Sequence, residues 1–315
     1  MTAGDPARRT GGNLYNRHML AALRRDGVRV TTVVLRDRRD AAARLSELRA
    51  PLVLVDTIAA SLAASHLSRI RARGSEIVAV AHMRNGAMAL ARRADRVIAV
   101  SRALADELVA GGIDRRRIVV IPPGRGAVAA RSRANSDGRI LCVGNWTQAK
   151  GIHTLVAAAA RLPDVSLDLV GDTPDAAYAA RVRRAIAARG LASRVRVYGT
   201  LGRTALARRY AAASVFALPS TREGYPIVFV EALARGLPVV GCDIPAVREV
   251  TDGAAILVPP GRVAPLAAAL AKLVTDERSR RALARRSLLR ARQLPTWAES
   301  EARFVRAVRL SLLSR

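Results

Sequence analysis

Residues 214–241 read SVFALPSTREGYPIVFVEALARGLPVVG. An apolar run, Ser214–Pro219, breaks on polar residues. A segment of helical spacing follows, with Pro226 suited to its first turn. It runs to about Arg235 and is stopped by Gly236. Pro238–Gly241 then resumes an apolar run. Strand, helix and strand, with the strands apolar on both faces, make a parallel βαβ unit buried on both sides. The alternation continues outward. Downstream of residue 138 the other runs are Arg139–Gly144, Val165–Gly171, Arg194–Gly199 and Ala254–Val258. Upstream of residue 122 they are Val28–Leu35, Pro51–Asp56, Glu76–Ala81, Arg96–Val100 and Ile118–Ile121. Ala/Arg/Leu segments of helical spacing separate them. The expected class is α/β, with two Rossmann-like, doubly wound parallel-sheet domains. Ile121–Gly124 closes the fifth run, and Arg125–Gly138 carries turn residues and charges without a period. The expected domains are therefore 1–122 and 139–294, joined by a linker at 123–138. Residues 295–315 read as a terminal helix able to cross back onto the first domain.

The 315 residues suit two domains at roughly 100–200 residues each. Aromatics are only 3% of a chain that is 50% hydrophobic, so the core must be Ala, Val and Leu. A charged fraction of 25% excludes wholesale disorder. Cys142 and Cys242, far apart, make neither a disulfide framework nor a zinc knuckle and fit a reducing compartment. Met1–Thr10 lacks the apolar stretch of a secretory signal, and no run of 18 apolar residues occurs, so a cytoplasmic location is expected. The net charge of +28 points to anionic partners. Yet the lysines are only Lys150 and Lys272, and the Arg bias is what a GC-rich genome produces without selection on function. Arg181, Arg183, Arg184 and Arg189 read as a solvated helix face. Three Phe and two Trp supply little stacking, so no specific nucleic-acid partner is expected. The charge leaves an anionic membrane surface as a candidate partner, with the chain peripheral at the inner face.

The densest chemistry follows Ser214–Pro219. Glu223 falls in the strand-to-helix loop and Glu231 one to two turns into the helix. The N–H groups of Gly224, Tyr225 and Ile227 are expected to point out of the helix start, where they and the dipole suit a phosphate or a polar sugar. A carboxylate beyond them can accept two hydroxyls, as a ribose presents them. A lone Glu there would read as a dipole-favoured helix start; two, around a Gly and a Pro after Pro219–Ser220, point to a ligand.

Glu223, seven residues, Glu231, then Ala-Leu-Ala-Arg-Gly-Leu-Pro-Val-Val resembles the signature of retaining glycosyltransferases of family 4, enzymes of the GT-B fold with two Rossmann-like lobes facing a cleft. Val143–Gly151, with Gly144, Asn145 and Lys150, resembles the family's Gly-Arg-Leu…Lys-Gly loop. Leu169–Asp172 resembles its Val-Gly-Asp turn, and Gly11–Gly12 its N-terminal Gly-Gly loop. Val100–Ser101, Ile121–Gly124 and Leu257–Pro260 resemble further family segments. The resemblance covers about residues 11–290 and is more specific in the second half. It implies a nucleotide-diphosphate sugar as co-substrate and no cofactor. Lys150 would neutralise the donor diphosphate. Glu231 would hold the ribose. Glu223 would bind donor-sugar hydroxyls, with the Gly224–Tyr225–Pro226–Ile227 backbone nearby. Gly144, Gly171 and Asp172 would line the nucleotide side. Gly11 and Gly12 would let the backbone approach the donor, and His82, at the end of Glu76–Ala81, would sit by the transferred sugar. The resemblance also implies retention through a front-face, ion-pair-like step. Neither an Asp-x-Asp motif nor a His/Cys cluster of ligand spacing is present, so no metal is expected.

Three features depart from the pattern. Met1–Thr10 has no apolar run before Gly11, so the first domain is expected to lack its first strand. That domain is short for an acceptor side. Asn145 stands where the family usually has Arg, which removes a cation from the diphosphate site. Two alternatives stay open: a weakly active or non-catalytic nucleotide-sugar-binding protein, and a nucleotide-sugar epimerase of the same fold. The acceptor hydroxyl is not legible; a glycan, a linked lipid and a small molecule all fit.

Overall fold

The computed structural model describes residues 1–129 and 137–313. The middle of the expected linker, residues 130–136, lies outside the described residues. The chain divides into two compact units, residues 1–124 with 295–315, and residues 125–294.

In the first unit the strands are β1 (Thr2–Ala3), β2 (Val34–Leu35), β3 (Leu52–Asp56), β4 (Glu76–Ala81), β5 (Arg96–Ala99) and β6 (Ile118–Val120). β3, β4, β5 and β6 form a parallel sheet in that order, with Asp56 opposite Val80 and Ala81 opposite Ala99. Their buried residues are aliphatic apart from Asp56 at the end of β3, the pattern of a parallel sheet covered on both faces. The expected absence of a first strand is corrected here. Thr2 and Ala3 pair in parallel with Val34 and Leu35. On the other side the Met1 ammonium donates to the Leu54 carbonyl, and the Asp56 N–H donates to the Met1 carbonyl at 3.1 Å. Residues 1–3 thus occupy the place between β2 and β3. Two paired residues carry no periodicity, so the stretch read as strandless. The run Val28–Leu35 likewise shrinks to Val34–Leu35, since its partner offers only two residues to pair.

Gly11 and Gly12 also differ from expectation. They form the first turn of the helix Gly11–Arg25 rather than a loop. Thr10 caps that helix, its hydroxyl accepting the Asn13 N–H at 3.1 Å. The final helix, Trp297–Leu313, packs along this first helix. Trp297 stacks on His18 at 3.7 Å, Phe304 meets the edge of Tyr15 at 6.1 Å, and His18 Nδ1 lies 2.7 Å from the Glu301 carboxylate.

The second unit holds β7 (Arg139–Val143), β8 (Ser166–Val170), β9 (Val195–Val197), β10 (Val215–Leu218), β11 (Val239–Cys242) and β12 (Ile256–Val258). All pair in parallel in the order β12-β11-β10-β7-β8-β9. Sequence order reverses between β7 and β10, so the carboxyl ends of these strands form the switch point where doubly wound sheets bind ligands. Phe216, on β10, stacks with Tyr210 at 6.0 Å and meets Phe229 edge to face at 5.4 Å. Among the described residues no helix is long and apolar enough to cross a membrane.

The loop after β7 is held by backbone crowding. Gly151 has φ +65°, and a Cβ there would stand 2.2 Å from the Pro219 carbonyl oxygen. Gly190 has φ +63° with nothing within 4 Å of its Cβ position. Gly190→Ala should cost about 1 kcal/mol, the left-handed penalty alone. Gly151→Ala should cost about 1–3 kcal/mol more, because backbone must move. Denaturant midpoints of the two variants check this; equal losses would refute the crowding argument.

Candidate functional site

The carboxyl ends of β7, β8 and β10 gather most of the candidate residues. Gly144 follows β7 and Gly171 follows β8. A Cβ on Gly171, at φ +151°, would lie 2.0 Å from the Gly144 carbonyl oxygen, so only glycine lets the two turns touch. Trp146 N–H donates to the Asp172 carbonyl at 2.7 Å, and Asp172 N–H donates to Asn145 Oδ1 at 3.3 Å. Asn145 is thus a strut between the two turns. The loop then bends at Gly151 and docks on the end of β10, where Thr221 N–H donates to the Ala149 carbonyl at 2.8 Å.

This docking delivers Lys150 to Glu223. Lys150 Nζ donates to Glu223 Oε1 at 2.7 Å and to Oε2 at 2.9 Å. The Glu223 side chain is 6% exposed and that of Lys150 25%. The pair is charge-assisted and chelating, the strong form of the interaction. An ammonium has three protons, so one remains for a further anion.

Two expectations about the helix start are corrected. Pro226 precedes the helix Ile227–Ala234 rather than standing in its first turn, with φ −82° and ψ 80°. These are the angles of an inverse γ-turn, in which Ile227 N–H donates back to the Tyr225 carbonyl at 3.0 Å. The Ile227 amide is therefore spent within the turn and does not point outward. The Gly224 and Tyr225 amides have no hydrogen-bond partner among the described residues. Glu231 lies one turn along the helix from Ile227 and beside Tyr210. Burial first, then the Glu231 carboxylate, push the Tyr210 hydroxyl well above its ordinary range.

Gly11, Gly12 and His82 belong to the other unit and cluster there. A Cβ on Gly12 would stand 3.5 Å from the His82 ring, an ordinary contact. His82 follows β4, and its Nε2 lies 3.0 Å from Asn16 Oδ1. Asn16 in turn donates to Asp56 Oδ2 at 2.7 Å. Burial draws the His82 pKa down to about 4, against the pull of Asp56. Sequence reasoning missed Asn16 and Asp56. The available signals were the four-residue spacing of Asn16 from Gly12 and an acid closing the apolar run Pro51–Asp56. Among the described residues no group of three or more His, Cys, Asp or Glu is placed to hold a metal ion.

Residues 137–276 match the family model described as glycosyl transferases group 1, and residues 59–125 match glycosyltransferase family 4. A D-inositol 3-phosphate glycosyltransferase of Xylanimonas cellulosilytica is 34% identical over 176 residues, covering 50% of this chain and 42% of that protein. A 2-deoxystreptamine N-acetyl-D-glucosaminyltransferase of Streptomyces fradiae is 31% identical over 215 residues, covering 61% of this chain and 50% of that one. The chain thus matches half or less of the length of these curated relatives. Among solved structures, sucrose-phosphate synthase from Thermosynechococcus elongatus superposes with a TM-score of 0.83 at 21% identity, covering 100% of both chains. HepE from Anabaena, in complex with UDP-glucose, superposes with a TM-score of 0.81 at 18% identity, covering 98% of each. These likenesses establish the fold, and with the two matched segments they identify this chain as a member of the GT-B glycosyltransferases of family 4, group 1.

Proposed function

We propose that this chain transfers a sugar from a nucleotide-diphosphate sugar to an acceptor hydroxyl, with retention of anomeric configuration and without an essential metal. The observation that carries the reading is the chelated Lys150–Glu223 pair at the switch point of the second unit's sheet. A cation with a spare proton beside touching glycine turns suits a diphosphate, whose charge grows as the glycosidic bond breaks. Glu223 would accept sugar hydroxyls while restraining Lys150. Glu231 would take the ribose. Retention follows if the leaving diphosphate accepts the acceptor's proton on the face it vacates, so catalysis is positioning and electrostatics. HepE, similar in fold, holds UDP-glucose, which supports a nucleotide-sugar donor.

One observation favours a second reading, donor binding with little turnover. Asn145 replaces a family cation, and its carbonyl oxygen is occupied by the Asp172 amide. The diphosphate site therefore has less positive charge than the family pattern supplies.

Thermal unfolding with UDP, GDP, ADP and their sugar conjugates tests the donor site. At ~100 times its dissociation constant a ligand adds about 2.7 kcal/mol. That should raise the melting temperature by about 5 °C or more in a unit of this size. The rise is expected with one base only and should vanish in Glu231→Ala. No rise with any nucleotide would overturn the reading. A rise without turnover in the presence of candidate acceptors would select the second one, and an altered sugar without acceptor would reveal an epimerase.

Lys150→Met separates the pair's two roles. Turnover should fall about 10²–10³-fold. Stability should fall by about 2 kcal/mol, since Glu223 is left charged and nearly buried. Adding Glu223→Gln should restore the stability and leave turnover low. Undiminished turnover in Lys150→Met would remove Lys150 from the mechanism.

A further inference from the structure

The carboxyl ends of β3 and β4 lie side by side and present Asp56 and His82. The first helix crosses them with Gly12, Tyr15 and Asn16, three and four residues apart and so on one face. A chain of polar contacts joins the three elements. Asp56 Oδ1 accepts the N–H groups of Ile58 at 2.9 Å and Ala59 at 3.1 Å, which fixes the carboxylate at the start of the next turn. Asp56 Oδ2 accepts Asn16 Nδ2 at 2.7 Å. Asn16 Oδ1 then faces His82 Nε2 at 3.0 Å. The His82 backbone N–H donates to Thr57 Oγ1 at 3.2 Å, and the Tyr15 ring stands edge-on to the imidazole at 5.3 Å.

The chain has only one consistent direction. A carboxylate accepts and does not donate, so Asn16 must turn its amide NH₂ toward Asp56. Its carbonyl oxygen then faces His82, and an oxygen there requires a donor. We propose that Asn16, oriented by Asp56, is a positioning residue that fixes His82 as the Nε2–H tautomer and leaves Nδ1 as a hydrogen-bond acceptor for a ligand hydroxyl. His82 Nδ1 has no partner among the described residues. Burial keeps the ring neutral, which supports the assignment. A neutral nitrogen lone pair accepts from a hydroxyl and repels a phosphate oxygen. His82 therefore belongs beside a sugar or acceptor hydroxyl and not beside the diphosphate. That last step rests on the transferase reading; the tautomer does not.

The test is imidazole ¹⁵N NMR on the full chain without ligand. The sequence has only four histidines, so His82→Gln identifies the His82 signals. The wild type should show a single tautomer, protonated at Nε2 and bare at Nδ1. Asn16→Leu should lose that single tautomer. The exchanged pair Asn16→Asp with Asp56→Asn keeps every hydrogen bond with the polarity of the middle link reversed, and should recover it. A wild-type ring protonated at Nδ1 would overturn the proposal, as would an unchanged tautomer in Asn16→Leu. If Asn16→Leu does not melt cooperatively, the wild-type and exchanged-pair spectra still decide, because both must show the Nε2–H form. The correct tautomer in a protein that neither binds nor turns over a nucleotide sugar would sink the transferase reading alone.

Discussion

A lysine ammonium held between the two oxygens of one glutamate ties together two loops at the carboxyl edge of the second unit's sheet. For Lys150 to reach Glu223, the loop after β7 must press onto the end of β10. That contact exists because Gly151 takes a left-handed turn against the Pro219 carbonyl. The same edge needs the turns after β7 and β8 to touch, which the missing side chain of Gly171 permits. The charge pair thus depends on glycine backbone, and the glycines are constrained by parallel strands buried on both faces. Desolvating Glu223 would be costly alone, and the chelated ammonium offsets it.

The strands were legible where burial on both faces leaves an uninterrupted apolar run. Glu76–Ala81 has the limits read from its sequence, and most runs of the second unit lose only a residue or two at the ends. Thr2–Ala3 was not legible, because two residues held by neighbours on either side have no period. The candidate loop after β10 stood out in the sequence because its residues are local: Glu223, Gly224 and Pro226 sit within four residues. Two details were not readable, the γ-turn that consumes the Ile227 amide and the use of Asn145 as a strut. The first turns on the ψ angle of Pro226, which its residue type leaves open, and the second on an amide 27 residues away. The Asn16–Asp56–His82 chain is the strongest case. Its members lie 40 and 66 residues apart, and only the meeting of a helix with two strand ends joins them.

Some of the arginines have a structural use. The face with Arg181, Arg183, Arg184 and Arg189 is exposed, as its spacing implies. Others cap carbonyls at helix and strand ends. Arg117 reaches the Ala91, Ala94 and Asp95 carbonyls, and Arg290 those of Glu249 and Val250. Arg194 holds Leu162, Pro163 and Val165. Arg280 is buried and donates to the Leu273 and Val274 carbonyls. The planar guanidinium fork suits this, bringing several N–H groups to the partly negative carbonyl ends of helices. Such residues add to net charge without forming a surface for anionic partners.

The return of Trp297–Leu313 to the first helix makes the first unit discontinuous, with the second unit inserted between its parts. The second unit has all its strands available once residue 294 has been synthesised. The first unit must wait for the residues that cover Tyr15 and His18. During synthesis the order of completion is therefore inverted: the unit encoded in the middle closes first, and the one that begins the chain closes last. Until then the face of the first helix that carries Tyr15 and His18 lacks its cover, and the growing chain must carry that surface exposed.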